Sequence, residues 1–106
     1  MSSLKRLAQL KTMLELEPND LFLNYSLGLE NLAQSNINEA EFQFKKALDL
    51  NPDYIPAYYQ LGKLFESKKN TKQAILFFKN GLEKARLVRD FKAINEFGEA
   101  IFLLED

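Results

Sequence analysis

The sequence repeats itself with a period of 34 residues. Glu-Pro-Asn-Asp at 17–20 and Asn-Pro-Asp-Tyr at 51–54 place Pro18 and Pro52 at that separation. The same offset relates several further pairs: Leu27-Gly28 and Leu61-Gly62, Ala40 and Ala74, Phe44 and Phe78, and Leu48 and Leu82. A fixed period of this length indicates a repeat protein, in which each structural unit packs against its neighbours.

Apolar residues recur every three or four positions through most of the chain, and no segment alternates with a period of two for long enough to predict a strand. Short breaks rich in Asn, Asp and Pro separate the apolar stripes. Turns this short force neighbouring helices to run antiparallel. We therefore predict an all-α chain with six helices, at residues 3–16, 20–34, 38–50, 54–68, 71–87 and 90–104.

The break between the third and fourth predicted helices is encoded by two prolines. Pro52 lacks an N–H and disfavours helical geometry at Asn51, so the third helix is predicted to end there. Asp53 is expected to cap the fourth helix. Pro56 then falls in the first turn of that helix, where its missing donor has no consequence.

With these residues at these spacings, the chain resembles the tetratricopeptide repeat family. The resemblance implies a right-handed superhelix of antiparallel helix hairpins, an α-α solenoid, within a single domain spanning residues 1–106. Its parts would be a half-repeat helix (3–16), a first repeat (21–54), a second repeat (55–88) and a C-terminal capping helix (90–104).

Small residues in this pattern let two helices approach closely, while leucine and phenylalanine fill the space beside them. Gly28 and Gly62 are two of these small residues. Ile94, Phe97, Gly98 and Ile101 reproduce the pattern of a first helix. Asn24 and Asn31 depart from the family pattern and are expected to weaken one face of the second predicted helix, with partial compensation from Tyr25 and Leu32.

The composition argues against most enzyme classes. The chain has no cysteine and no histidine, which removes the commonest nucleophiles, general bases and metal ligands. Paired acids such as Glu96 and Glu99 are expected to be solvated helix residues. We predict neither catalytic residues nor a metal site nor a cofactor.

The charge and apolar patterns also limit the partners. Net charge is −1, with 14 Lys and Arg against 15 Asp and Glu, which argues against nucleic acid as a partner. No run of about 18 apolar residues predicts a membrane span, and the first residues do not read as a signal peptide. A cytoplasmic protein is expected.

The family resemblance implies that the functional surface is the concave side, lined by the first helix of each repeat. In this sequence the candidate partner-binding residues are Phe22, Tyr25, Leu29, Leu32, Tyr59, Lys63, Glu66, Lys92, Asn95 and Glu99. A contiguous apolar patch marks an interface, and aromatic side chains supply large contact area at low entropic cost. The alternative is that Phe22, Leu29 and Leu32 belong to the core.

These residues predict a non-enzymatic protein-interaction module, a scaffold that binds a peptide or a partner's helix in the groove. Phe22, Tyr25, Leu29 and Tyr59 would be the hydrophobic anchors, while the charged candidates set orientation. Some members of the family clamp the carboxyl-terminal tails of chaperones with Lys, Asn and Arg, and these residues are missing from the first repeat here. The alternative function is homo-oligomeric assembly through the apolar end of the groove or through the terminal helices.

Overall fold

The computed structural model describes residues 2–105, with side chains from Leu4 onward, and these residues form six helices and no β-strand. The helices are α1 (Ser2–Leu16), α2 (Leu21–Ala33), α3 (Ile37–Leu50), α4 (Ile55–Ser67), α5 (Thr71–Leu87) and α6 (Phe91–Leu104). The predicted all-α class is confirmed, and every predicted helix end lies within one residue of the observed one.

The helices group into two compact units, divided between Pro52 and Asp53. In the first unit α1 packs against α2, and α2 packs against α3. In the second unit α4 packs against α5, and α5 packs against α6. The single domain over residues 1–106 stays a prediction.

A glycine on the first helix of each repeat receives a phenylalanine ring from the second helix. A Cβ atom on Gly28 would lie 2.6 Å from Cε1 of Phe44, and one on Gly62 would overlap the ring of Phe78 in the same way. Both rings are fully buried. Close approach of the helices therefore requires glycine at both positions, as the 34-residue period predicts.

Gly98 does not share this environment, although its sequence position matches those of Gly28 and Gly62. Apart from its chain neighbours and the backbone of its own helix, no described atom lies within 4 Å of the position that its Cβ would occupy. Ile94, which belongs to the same repeat pattern, is only half-buried, whereas Ala93 is buried. The described residues place no second helix, and so no phenylalanine ring, against this face of α6.

Three of the helix connections share one turn geometry. Ser35, Lys69 and Arg89 adopt left-handed backbone conformations, with φ of 64°, 62° and 56°. In each turn the next residue donates its backbone N–H to the carbonyl oxygen five residues earlier, as in Asn70 to Phe65 at 2.9 Å. This is the Schellman ending of a helix, formed here without glycine.

The start of α4 differs from the sequence prediction. Asp53 does not cap the helix, because Tyr54 occupies the N-cap position. The Asp53 carboxylate instead pairs with Lys84 of α5, with Oδ1 lying 3.0 Å from Nζ. Pro56 is in the first turn of α4, as predicted. The carboxylate thus links the turn before α4 to α5.

Asn24 and Asn31 are structural residues, which corrects the prediction that they weaken α2. They are 2% and 1% exposed. The Asn24 side-chain amide donates to the carbonyl oxygens of Pro18 at 3.1 Å and Asp20 at 2.8 Å. Asn31 Oδ1 accepts a hydrogen bond from Nδ2 of Asn36 at 3.2 Å. Each asparagine therefore ties α2 to the turn beside it.

Candidate functional site

The predicted apolar residues of the first repeat form a stripe on α2. Their spacing of three and four residues places Phe22, Tyr25, Leu29 and Leu32 on one face of the helix. Phe22 is 69% exposed and Leu29 is 36% exposed, while Leu32 is half-buried. Phe22 is therefore not a core residue, and the α2 stripe offers apolar surface to the solvent.

Tyr25 of the first unit contacts the core and is also partly exposed. Its ring is tilted by 51° against the core ring of Phe44, with the centroids 5.6 Å apart. The residue is half-buried. Because this packing restrains the ring, Tyr25 supports the core and also leaves part of its side chain at the surface.

The second unit contains a cavity of about 250 Å³ between α4 and α6, which we call the α4–α6 pocket. Its lining residues are Tyr59, Lys63 and Glu66 from α4, and Glu96, Glu99, Ala100 and Leu103 from α6. Four of the predicted site residues thus come together here. Lys92 and Asn95, the other two candidates on α6, are exposed and do not line the pocket.

Tyr59 forms the rigid part of the α4–α6 pocket. Its ring lies 5.7 Å from the ring of Phe78 and 5.7 Å from that of Phe97, measured between centroids. Both phenylalanines are in the core of the second unit. As Tyr25 does on Phe44, Tyr59 therefore rests on core rings and exposes its remaining surface.

Acidic side chains dominate the charge of the pocket. Lys63 Nζ lies 3.7 Å from Glu66 Oε1, which forms an ion pair on α4. Glu96 and Glu99 have no ion pair with any residue of the described chain. Within residues 2–105, no group of three or more acidic side chains has an arrangement that could hold a metal ion.

The sequence prediction missed three residues of the pocket: Glu96, Ala100 and Leu103. They lie on the side of α6 that faces α4, next to the stripe that the family pattern selects. Their spacing of four and three residues does mark a single helix face. That signal was available, but only the neighbouring helix identifies the face as part of a cavity.

None of the six described helices combines the length and the apolar composition that crossing a bilayer requires.

The tetratricopeptide repeat family model matches residues 31–94 of the chain. A tetratricopeptide repeat domain protein from Salinibacter ruber, with a solution NMR structure, is 35% identical in sequence. Its alignment covers 83% of this chain and 89% of that one, with a TM-score of 0.78. No curated protein matches the chain in sequence.

Two solved structures of low identity share the fold. The TPR2B domain of yeast Sti1, in a complex with pHsp70, is 14% identical, covers 98% of this chain and 83% of its own, and has a TM-score of 0.89. SycD, a type III secretion translocator chaperone of Yersinia enterocolitica, is 10% identical, covers 98% of this chain and 72% of its own, and has a TM-score of 0.90.

Proposed function

Because the chain belongs to the tetratricopeptide repeat family, we propose that it is a non-enzymatic module that binds a peptide or a helix of a partner protein. The binding surface is the exposed face of the first helices of its repeats. In the first unit this face is the α2 stripe, and in the second it is the α4–α6 pocket.

The observation that carries this proposal is the apolar stripe on α2. Phe22, 69% exposed, shares one helix face with the half-buried Tyr25 and with Leu29, which is 36% exposed, and contiguous apolar surface of this kind marks an interface. Tyr25 is preorganised by Phe44, so little side-chain entropy is lost when a partner packs against it. The Sti1 domain is seen in a complex with pHsp70, and SycD is described as a translocator chaperone. Both neighbours are thus named for interactions with other proteins, which agrees with the proposed class of function.

A matched pair of phenylalanines in the first unit tests the proposal. Phe22 lies on α2 and is 69% exposed, whereas Phe42 lies on α3, the second helix of the same repeat, and is 64% exposed. Peptide ligands are selected from a phage-displayed library of random sequences about a dozen residues long. Their binding sites are then mapped by amide chemical shifts.

We expect the selected peptides to shift residues on the first helices. Phe22→Ser should weaken binding about tenfold or more, because exposed aromatic anchors carry much of the affinity of an interface. Phe42→Ser should leave binding unchanged, and both variants should keep the wild-type melting temperature. Equal loss in both variants, or peptides that map only to the second helices, contradicts the proposal.

We propose the cytoplasm as the compartment in which this module acts as a scaffold. Its sequence has no cysteine, so its folding does not depend on disulfide formation in an oxidising compartment. A fluorescent fusion found outside the cytoplasm contradicts this assignment.

Self-association is a second candidate function, favoured by exposed apolar side chains on α6. Phe91, Phe102 and Leu103 are 68%, 78% and 68% exposed. Sedimentation velocity across a wide concentration series tests it, because a molecule that stays monomeric at the highest concentration does not act by assembling with itself.

A further inference from the structure

The α4–α6 pocket has an apolar part and an acidic part. The Tyr59 ring, Ala100 and Leu103 supply the apolar part, and Tyr59 is held in place by two core rings. The charged part holds three carboxylates and the single ammonium of Lys63. At about 250 Å³, the cavity has room for one long side chain.

The charges in this pocket do not balance. The ion pair between Lys63 and Glu66 accounts for one carboxylate. Glu96 and Glu99 then leave a charge of −2 without a cationic partner among the described residues. Because these three carboxylates are not arranged around a metal position, an organic cation fits the pocket better than a metal ion does.

We propose that the α4–α6 pocket binds a lysine or arginine side chain of a partner segment. Its aliphatic stem would pack on Tyr59 and Leu103, and its cationic head would lie between Glu96 and Glu99. The partner is thus a basic peptide segment. This inference rests on the proposed function and names the chemistry of the ligand.

The other classes of side chain fit less well. A neutral apolar side chain would remove water from two carboxylates without supplying a counter-charge. An acidic side chain would be repelled by the same two groups. The basic side chain both fills the apolar part and neutralises the excess charge.

The direction in which a Lys63 substitution changes peptide affinity distinguishes this proposal from its alternatives. In a pocket for a basic side chain, Lys63 competes for Glu66 and repels the ligand. Lys63→Gln should therefore strengthen binding of a basic peptide. A pocket in which Lys63 orients an acidic or neutral peptide predicts the opposite effect.

The test is a parallel phage selection with the same random library on the wild-type protein and on Glu96→Gln/Glu99→Gln, followed by affinity measurements at low salt. We expect wild-type ligands to be enriched in Lys and Arg, and this enrichment to disappear in the variant. Each single substitution should weaken a selected basic peptide by about fivefold. Glu83→Gln, at an exposed acid of α5 outside the pocket, is the matched control and should change nothing.

The possible outcomes separate failure of this inference from failure of the proposed function. Peptides that map to the first helices without Lys or Arg enrichment overturn this inference and leave the proposed function standing. The inference is also overturned if Glu83→Gln lowers the affinity for a basic peptide as much as Glu99→Gln does. The attraction is then a general effect of net charge. Selected peptides that map nowhere on the first helices, or a selection that yields none, overturn the proposed function and the inference together.

Discussion

The side-chain amide of Asn24 donates a hydrogen bond of 3.1 Å to the carbonyl oxygen of Pro18, across the turn between α1 and α2. A second hydrogen bond, to the Asp20 carbonyl, fixes the same side chain at 2.8 Å. Asn24 is only 2% exposed, and both bonds are partly buried. The turn therefore depends on a side-chain donor contributed by the helix that follows it.

Asn24→Ala should destabilise the protein by about 1–3 kcal/mol, because it removes two partly buried hydrogen bonds that hold the turn against α2. Asn24→Asp should be similarly unfavourable, since a carboxylate cannot donate. Asn19→Ala, at an exposed residue of the same turn, should change stability by less than about 0.5 kcal/mol. Urea unfolding followed by circular dichroism measures all three, and equal effects of Asn24→Ala and Asn19→Ala would refute the structural role.

Two glycines of the second unit should respond to the same substitution with opposite signs. Gly62→Ala should destabilise by about 1–3 kcal/mol, because the added methyl group meets the buried ring of Phe78. Gly98→Ala should stabilise by up to about 1 kcal/mol, because its Cβ meets no described atom beyond its own helix backbone and chain neighbours, and alanine favours the helix. Chemical denaturation midpoints compare the two variants, and loss of stability in both would show that Gly98 is packed.

Glycine should improve the left-handed turns. Lys69 has φ of 62°, a conformation that costs a non-glycine residue about 1 kcal/mol or more. We expect Lys69→Gly to raise the unfolding free energy by about that amount, and Ser35→Gly to do the same in the first unit. Asn80→Gly, at an exposed position away from the ends of α5, is the control and should lower stability instead. Thermal melts would contradict the turn geometry if Lys69→Gly behaved like Asn80→Gly.

Alkaline pH should lower the folding stability of the second unit. Burial raises the pKa of Tyr58 and of Tyr54, and the hydrogen bond with Asp53 raises the pKa of Lys84. The folded state thus holds these protons more tightly than the unfolded chain. The resulting stabilisation is complete below about pH 10 and is lost as the pH rises further.

Melting temperatures measured from neutral pH to above pH 10 test this effect. Tyr58→Phe should flatten the alkaline part of the profile, because it removes the titration of the hydroxyl group. An unchanged alkaline slope in Tyr58→Phe would mean that another group causes it.

The helix boundaries were predictable because residues in and next to each turn determine where the helices end and begin. Proline at 18 and 52 and the cap residues Asp20, Asn70 and Asp90 act within a few positions, so the sequence itself specifies where each helix begins or ends. Asp53 was the exception. Its carboxylate had two possible partners, and the choice of Lys84 over the helix end depends on how α5 packs, which local chemistry does not reveal.

The roles of the buried polar residues were not predictable in the same way. Phe65 and Phe77 stack in the second unit with their ring centroids 5.5 Å apart, and the corresponding positions 34 residues earlier are Asn31 and Gln43. Both of these are buried, and no described residue donates to Oε1 of Gln43. A repeat pattern predicts that such positions are interior but not which polar partner each residue finds.

The candidate site was predictable in part. The family pattern selected Tyr59, Lys63, Glu66 and Glu99, which line one pocket, and Phe22, which is exposed as a binding residue would be. It could not distinguish Tyr25, whose ring lies on Phe44, from a purely surface residue. Exposure depends on tertiary packing, whereas the repeat period reports only the helix face.

The open space at Gly98 offers a place for a spectroscopic reporter. Because the chain contains no cysteine, Gly98→Cys would introduce a unique thiol. The Cβ that carries a fluorophore or spin label there would meet no described atom outside its own helix and chain neighbours, and the label would lie on the same helix as Glu99. Ligand engagement of α6 could then be followed optically or magnetically without altering any residue of the α4–α6 pocket.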